Sequence, residues 1–137
     1  MTAQRLLLDT VFIQGLLNRN DQYHEPARAL LPRVRAAAEV WVTEAVLVEV
    51  ANALSTFDRE GAARYIDRCY ETANLRVVSV DTPLLKKGLA LYRSRLDKEW
   101  SLTDCISMVV MQEQGLSEAV TADHHFAQAG YRASLLE

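Results

Sequence analysis

Short apolar runs, too brief to be helices, recur along this chain and restrict the folds open to it. "RLLLD" (5–9), "EVWVT" (39–43) and "RVVSV" (76–80) are of this kind, the latter two β-branched. "AVTA" (119–122) is a fourth candidate strand, and "YRASLL" (131–136) a short fifth. The first run is apolar without alternation, which suits a strand covered on both faces. Between the runs lie helical patterns over 11–18, 25–37, 44–56, 59–72, 83–95 and 102–114. Strands alternating with helices predict an α/β fold with a parallel sheet and right-handed crossovers.

The whole chain, 1–137, is expected to be one domain with a core large enough to need no disulfides. A net charge of −3 argues against a protein that coats nucleic acid nonspecifically, but leaves room for a locally basic face. Cys69 and Cys105 show no metal-type pairing, which is the usage of a reduced, cytoplasmic protein. No stretch has membrane-spanning length, and "RLLL" is no signal peptide.

Local signals mark several helix ends. Thr82 followed by Pro83 reads as a cap and a first-turn proline, and Gly115 as a C-terminal cap. Ser101 and Asp104 have the spacing of a capping box, and an acid in a first turn is favoured by the helix dipole. That explanation suffices for Asp104 alone. In a parallel sheet, however, ligands bind beyond the carboxyl ends of the strands, where strand order reverses. Asp9 closes the first strand and Asp123 closes the fourth, while Glu49 lies on the helix after the second. Each has an ordinary alternative. Asp9 and Asp123 suit turn chemistry, and Glu49 shares a helical stripe with Asn52 and Thr56 that could face solvent.

The stretches "LLLDTVFI", "VTEAVLVEVANAL", "SLTDCISMVVMQEQG" and "AVTADHHFAQAGY" together resemble, in order, the successive motifs of the PIN domain family in its VapC-like toxin branch. The resemblance spans nearly the whole chain. It implies a three-layer α/β/α sandwich with a central parallel sheet of four to five strands, and a divalent-metal-dependent endoribonuclease. It carries an acidic quartet onto Asp9, Glu49, Asp104 and Asp123, with Thr10 and Thr121 in support. Crowded carboxylates repel unless a cation compensates. A hard ion such as Mg2+ or Mn2+ suits oxygen ligands and can activate water against a phosphodiester. Asp9, Asp104 and Asp123 are the expected metal ligands, and Glu49 a ligand or a water-orienting base. The toxin branch further implies an RNA substrate, a small antitoxin protein that inserts into the active-site groove, and a homodimer.

His124 and His125 are read as partly exposed, with Phe126 packing beneath; a soft-metal site would have to enlist the remote His24. Lys86, Lys87, Arg93, Arg95 and Lys98 form a basic stretch ahead of Asp104, from which Arg95 and Lys98 are candidate phosphate contacts. Trp100 suits either base stacking or the core. Two other readings remain: a PIN nuclease of RNA processing without an antitoxin, and a nuclease-dead module binding RNA or protein. A receiver domain would need paired acids after the first strand, and "LLLDT" has one.

Overall fold

The computed structural model describes residues 3–137. In chain order the elements are β1 (Arg5–Leu8), α1 (Thr10–Leu17), α2 (His24–Ala36), β2 (Glu39–Thr43), α3 (Glu44–Leu54) and α4 (Arg59–Glu71). They continue with β3 (Leu75–Val78), α5 (Thr82–Ser94), α6 (Leu102–Gln114), β4 (Glu118–Val120), α7 (His124–Gln128) and β5 (Arg132–Ala133), before a closing 3-10 turn, Ser134–Leu136.

All five strands are parallel, in the order β3-β2-β1-β4-β5. Side chains alternate across the pleat, so each strand supplies two cores. Leu6, Leu8, Val40 and Val42 face Phe12, Ala27, Val46, Val50 and Cys69 of α1–α4. Leu7 and Ala119 face Leu84, Cys105, Met108, Met111 and Phe126 of α5–α7. The result is the expected three-layer α/β/α sandwich. β1 sits at its centre, buried on both faces, as its unbroken apolar run requires.

The chain lays β2 and β3 on one side of β1, then returns to place β4 and β5 on the other. Strand order therefore reverses between β1 and β4, and their carboxyl ends flank the crevice where such sheets bind ligands. α5 and α6 lie close together. A Cβ added at Gly88 of α5 would fall 2.6 Å from Ile106 Cγ1 and 3.3 Å from Ile106 Cα of α6.

Several boundaries differ from expectation. The cap of α5 is Asp81, whose Oδ1 accepts from the Leu84 amide at 2.9 Å; Thr82 is the first helical residue and Pro83 the second. β3 begins at Leu75 and ends at Val78, and β4 stops at Val120, so Thr121 and Ala122 lie outside the sheet. α7 was not anticipated because five residues carry too little periodicity to register. Gly115 does cap α6, in the left-handed conformation at φ 68°.

Candidate active site

Asp9 stands where the first strand hands over to α1. Its backbone is extended, in N-cap position, yet its side chain makes no cap hydrogen bond. The register of β1 on β4, Leu8 opposite Val120, instead sets Asp9 beside Thr121. The Thr121 hydroxyl donates to Asp9 Oδ2 at 2.8 Å and accepts from the Asp123 amide at 2.9 Å. One buried hydroxyl thus ties together the acids that follow the two strands at the switch point.

Asp104 arrives from α6. Its capping box is complete: the Ser101 hydroxyl accepts from the Asp104 amide at 3.0 Å, and Asp104 Oδ2 accepts from the Ser101 amide at 3.2 Å. The cap and the cluster are not alternatives, because the same first turn delivers the carboxylate to Asp9 and Asp123. Oxygens of these three acids lie within 4.8 Å of one another.

The electrostatics follow from that crowding. Asp9 is 2% exposed, and burial, reinforced by Asp104 and then Asp123, pushes its carboxyl up to about 7 despite the Thr121 hydrogen bond. Burial likewise raises Asp104, opposed by its bond to His125. Each acid has one oxygen held by a protein donor: Thr121 on Asp9, Ser101 and His125 on Asp104, and the His125 amide on Asp123. Asp104 Oδ1 and Asp123 Oδ2 have no hydrogen-bond partner among the described residues, and the Thr10 amide adds a second donor to the Asp9 carboxyl. An all-oxygen donor set of three acids fits a hard divalent cation such as Mg2+ or Mn2+.

Glu49 stands apart from the three. It accepts from the Thr10 hydroxyl at 2.8 Å through Oε1, which fixes it at the rim of the crevice and not facing open solvent as the stripe reading had it. Thr10 therefore steadies Glu49, and Thr121 steadies Asp9.

From sequence the role of His125 is open. Its Nδ1 lies 2.9 Å from Asp104 Oδ2 and 3.1 Å from Asp123 Oδ1, with the side chain 18% exposed. The available signal was the spacing: a histidine two residues past the acid in the loop after β4, where that acid caps a short helix through the histidine's own amide. His124 is exposed, although with Asp123 and His125 it forms a second group of close donor atoms. His24 is elsewhere, bonded through Nδ1 to the Gly15 carbonyl. Phe126 is fully buried beneath the pair, as expected.

The basic stretch is largely committed. Arg95 pairs with Asp97 through two 3.0 Å bonds and lies over the Trp100 ring at 4.9 Å. Lys98 is 3.8 Å from the same Asp97, and Lys87 is paired to Glu113 at 2.6 Å. Trp100 is a core residue, 6% exposed, with Nε1 donating to Gln128 of α7; it is not free to stack on a base.

A parallel α/β sandwich with acids gathered at its switch point defines a class. The sequence profile of the PIN domain matches residues 6–130, and the chain belongs to the PIN domain family. Comparison with the sequences of curated proteins finds no significant match. Among solved structures it is similar to Mycobacterium tuberculosis VapC20, described as a sarcin–ricin loop cleaving toxin. That likeness has a TM-score of 0.82 at 25% identity, covering 92% of this chain and 95% of that one. It also shares the fold of FitAcB from Neisseria gonorrhoeae, with a TM-score of 0.62 at 18% identity, covering 93% of this chain and 94% of that one. Among the described residues, no helix is long and apolar enough to cross a membrane.

Proposed function

We propose that this protein is a divalent-metal-dependent endoribonuclease and the toxin of a type II toxin–antitoxin pair. The observation that carries the reading is the convergence of Asp9, Asp104 and Asp123, from three separate elements, at the switch point of a PIN domain. Burying mutually repelling carboxylates is costly, and a cation that neutralises them offsets the cost. Likeness to a toxin that cleaves an RNA loop supports the substrate class.

Asp9, Asp104 and Asp123 would hold Mg2+ or Mn2+. When bound, such an ion supplies Lewis acidity toward the phosphodiester and acidifies water. The residues of the chain then divide the remaining work. Thr121 fixes the Asp9 carboxylate, while the α6 cap fixes Asp104. Glu49, anchored through one oxygen by Thr10, has the other with which to orient a water and accept its proton. Water attack on phosphorus leaves a 5′-phosphate and a 3′-hydroxyl.

A protein partner is part of the reading. Leu85, Leu89 and Tyr92 form an exposed stripe on α5, continued by Leu96, beside the exposed Val48 of α3. A groove lined by Val48, Leu85, Leu102 and Ile106 runs from this surface to Glu49. Its position supports an antitoxin that reaches the site, or a homodimer that borders it, in the cytoplasm where such pairs act.

The deciding test is cleavage of a sarcin–ricin stem-loop and of unstructured RNA by purified protein in Mg2+, Mn2+ or chelator. Metal-dependent cutting with 5′-phosphate ends is expected. Cutting that persists in chelator refutes the mechanism, and inactivity on every RNA with either metal refutes the enzyme.

A further inference from the structure

His125 occupies a position that the acidic quartet does not explain. It sits in the first turn of α7, and its one ring nitrogen faces two carboxylates brought from different parts of the chain. Asp104 comes from the start of α6, and Asp123 from the loop after β4. Against an ionised Asp104 the 2.9 Å contact is a hydrogen bond donated by Nδ1–H, while Asp123 Oδ1 lies 3.1 Å from the same nitrogen. The backbone reinforces the arrangement, because the His125 amide donates to Asp123 Oδ1 at 2.9 Å. No other side chain among the described residues hydrogen-bonds the Asp104 carboxylate.

We infer that His125 is a positioning residue for the cation site: its Nδ1–H holds Asp104 while its backbone amide holds Asp123, and together they fix the spacing of two ligands that would otherwise repel apart. The inference rests on the metal-dependent reading of the site. It assigns to His125 the part that Thr121 plays between Asp9 and Asp123, an outer hydrogen bond that holds one carboxylate oxygen and leaves the other for the ion. Loss of an outer partner of this kind typically weakens metal affinity about 10- to 100-fold.

Side-chain geometry gives a discriminating test. Asparagine places an amide N–H close to where histidine has Nδ1, whereas glutamine places it near Nε2. Mn2+ titration calorimetry on the full chain should therefore show affinity falling about tenfold or more in His125→Ala and His125→Gln. His125→Asn should recover most of it. A structural role in α7 would not separate the two amides, and melting curves in chelator should rank the three variants alike. In metal-free protein carrying 15N-histidine, NMR should show two of the three histidines protonated at Nδ1, His24 on the Gly15 carbonyl and His125, with only the His125 signal lost in His125→Gln. Wild-type affinity in His125→Gln, or tighter binding in His125→Ala, overturns the inference alone. So does a 14N coupling from His125 in the pulsed EPR of bound Mn2+, which would make it a direct ligand. Wild-type protein that takes up no Mn2+ overturns the metal-dependent reading itself, and the inference with it.

Discussion

Replacing Asp9 by asparagine tests the electrostatic core of the site without needing a substrate. Asp9 is buried, and its carboxyl ionises at about 7 in the folded protein against 3.8 when unperturbed. Between those values the folded state holds a proton that the unfolded chain has released. Stability in chelator must therefore fall as pH rises through that window, with the whole cost present above pH 7. A gap of about three pH units corresponds to about 4 kcal/mol, an upper figure because the structure can relax around the charge. Asparagine keeps the shape, and its Oδ1 can still accept from Thr121. Its amide replaces a charge that repels Asp104 and Asp123. Asp9→Asn should accordingly be more stable than wild type at pH 8 in chelator, by roughly 2–4 kcal/mol. For a chain of this length that is roughly 3–5 °C in Tm per kcal/mol. The advantage should shrink towards pH 5. Millimolar Mg2+ or Mn2+ should raise the wild-type Tm by binding the folded state only, and leave the variant nearly unmoved. Differential scanning calorimetry across pH 5–8 decides the matter. Wild-type stability that is flat over this range, or a variant less stable at pH 8, would refute the reasoning.

Asp104→Asn removes a ligand and weakens a helix cap, a loss of about 1 kcal/mol or less that relief of repulsion offsets. Metal-free stability at pH 8 should hold or rise while RNA cleavage collapses; a variant cutting at near wild-type rate would show that Asp104 serves only the cap. Thr121→Val deletes the hydroxyl shared by Asp9 and Asp123, leaving a buried carboxylate and an amide unpaired, and should cost about 1–3 kcal/mol in urea unfolding together with weaker Mn2+ binding. Gly88→Ala gains up to about 1 kcal/mol of helix propensity but drives a methyl into the branched Ile106 side chain, a clash costing about 1–3 kcal/mol. A lower urea midpoint is expected, and an unchanged or higher one would mean that α5 and α6 can part freely.

Much of this protein was legible in its sequence because it is encoded locally. The β1 run announces a strand buried on both faces, and the β-branched runs at β2 and β3 announce its neighbours, through pleat and side-chain shape alone. Gly115 and the Ser101–Asp104 box were readable because capping is a matter of a few adjacent residues. Even the acids that follow the first and fourth strands could be placed, directly after β1 for Asp9 and three residues past β4 for Asp123, since residues just beyond strand ends in such sheets have few destinations. At α5 the local signal misled by one residue, because Asp81 and Thr82 are both good caps and only the folded turn selects Asp81.

What remained depended on pairings between distant segments. That β4 lies against β1 is written in no local pattern, yet this pairing sets Thr121 beside Asp9 and makes the switch point. The Thr10–Glu49 bond spans two helices, and His125 reaches Asp104 across twenty-one residues. Trp100, open from sequence to either base or core, was decided by the arrival of Gln128. The sequence by itself determined where the strands and longer helices lie and most of their caps, because those choices are made by backbone sterics and near neighbours. The tertiary structure alone decided which acids meet and what restrains them, because hydrogen bonds and Coulomb forces act through distances that exist only once the chain has folded.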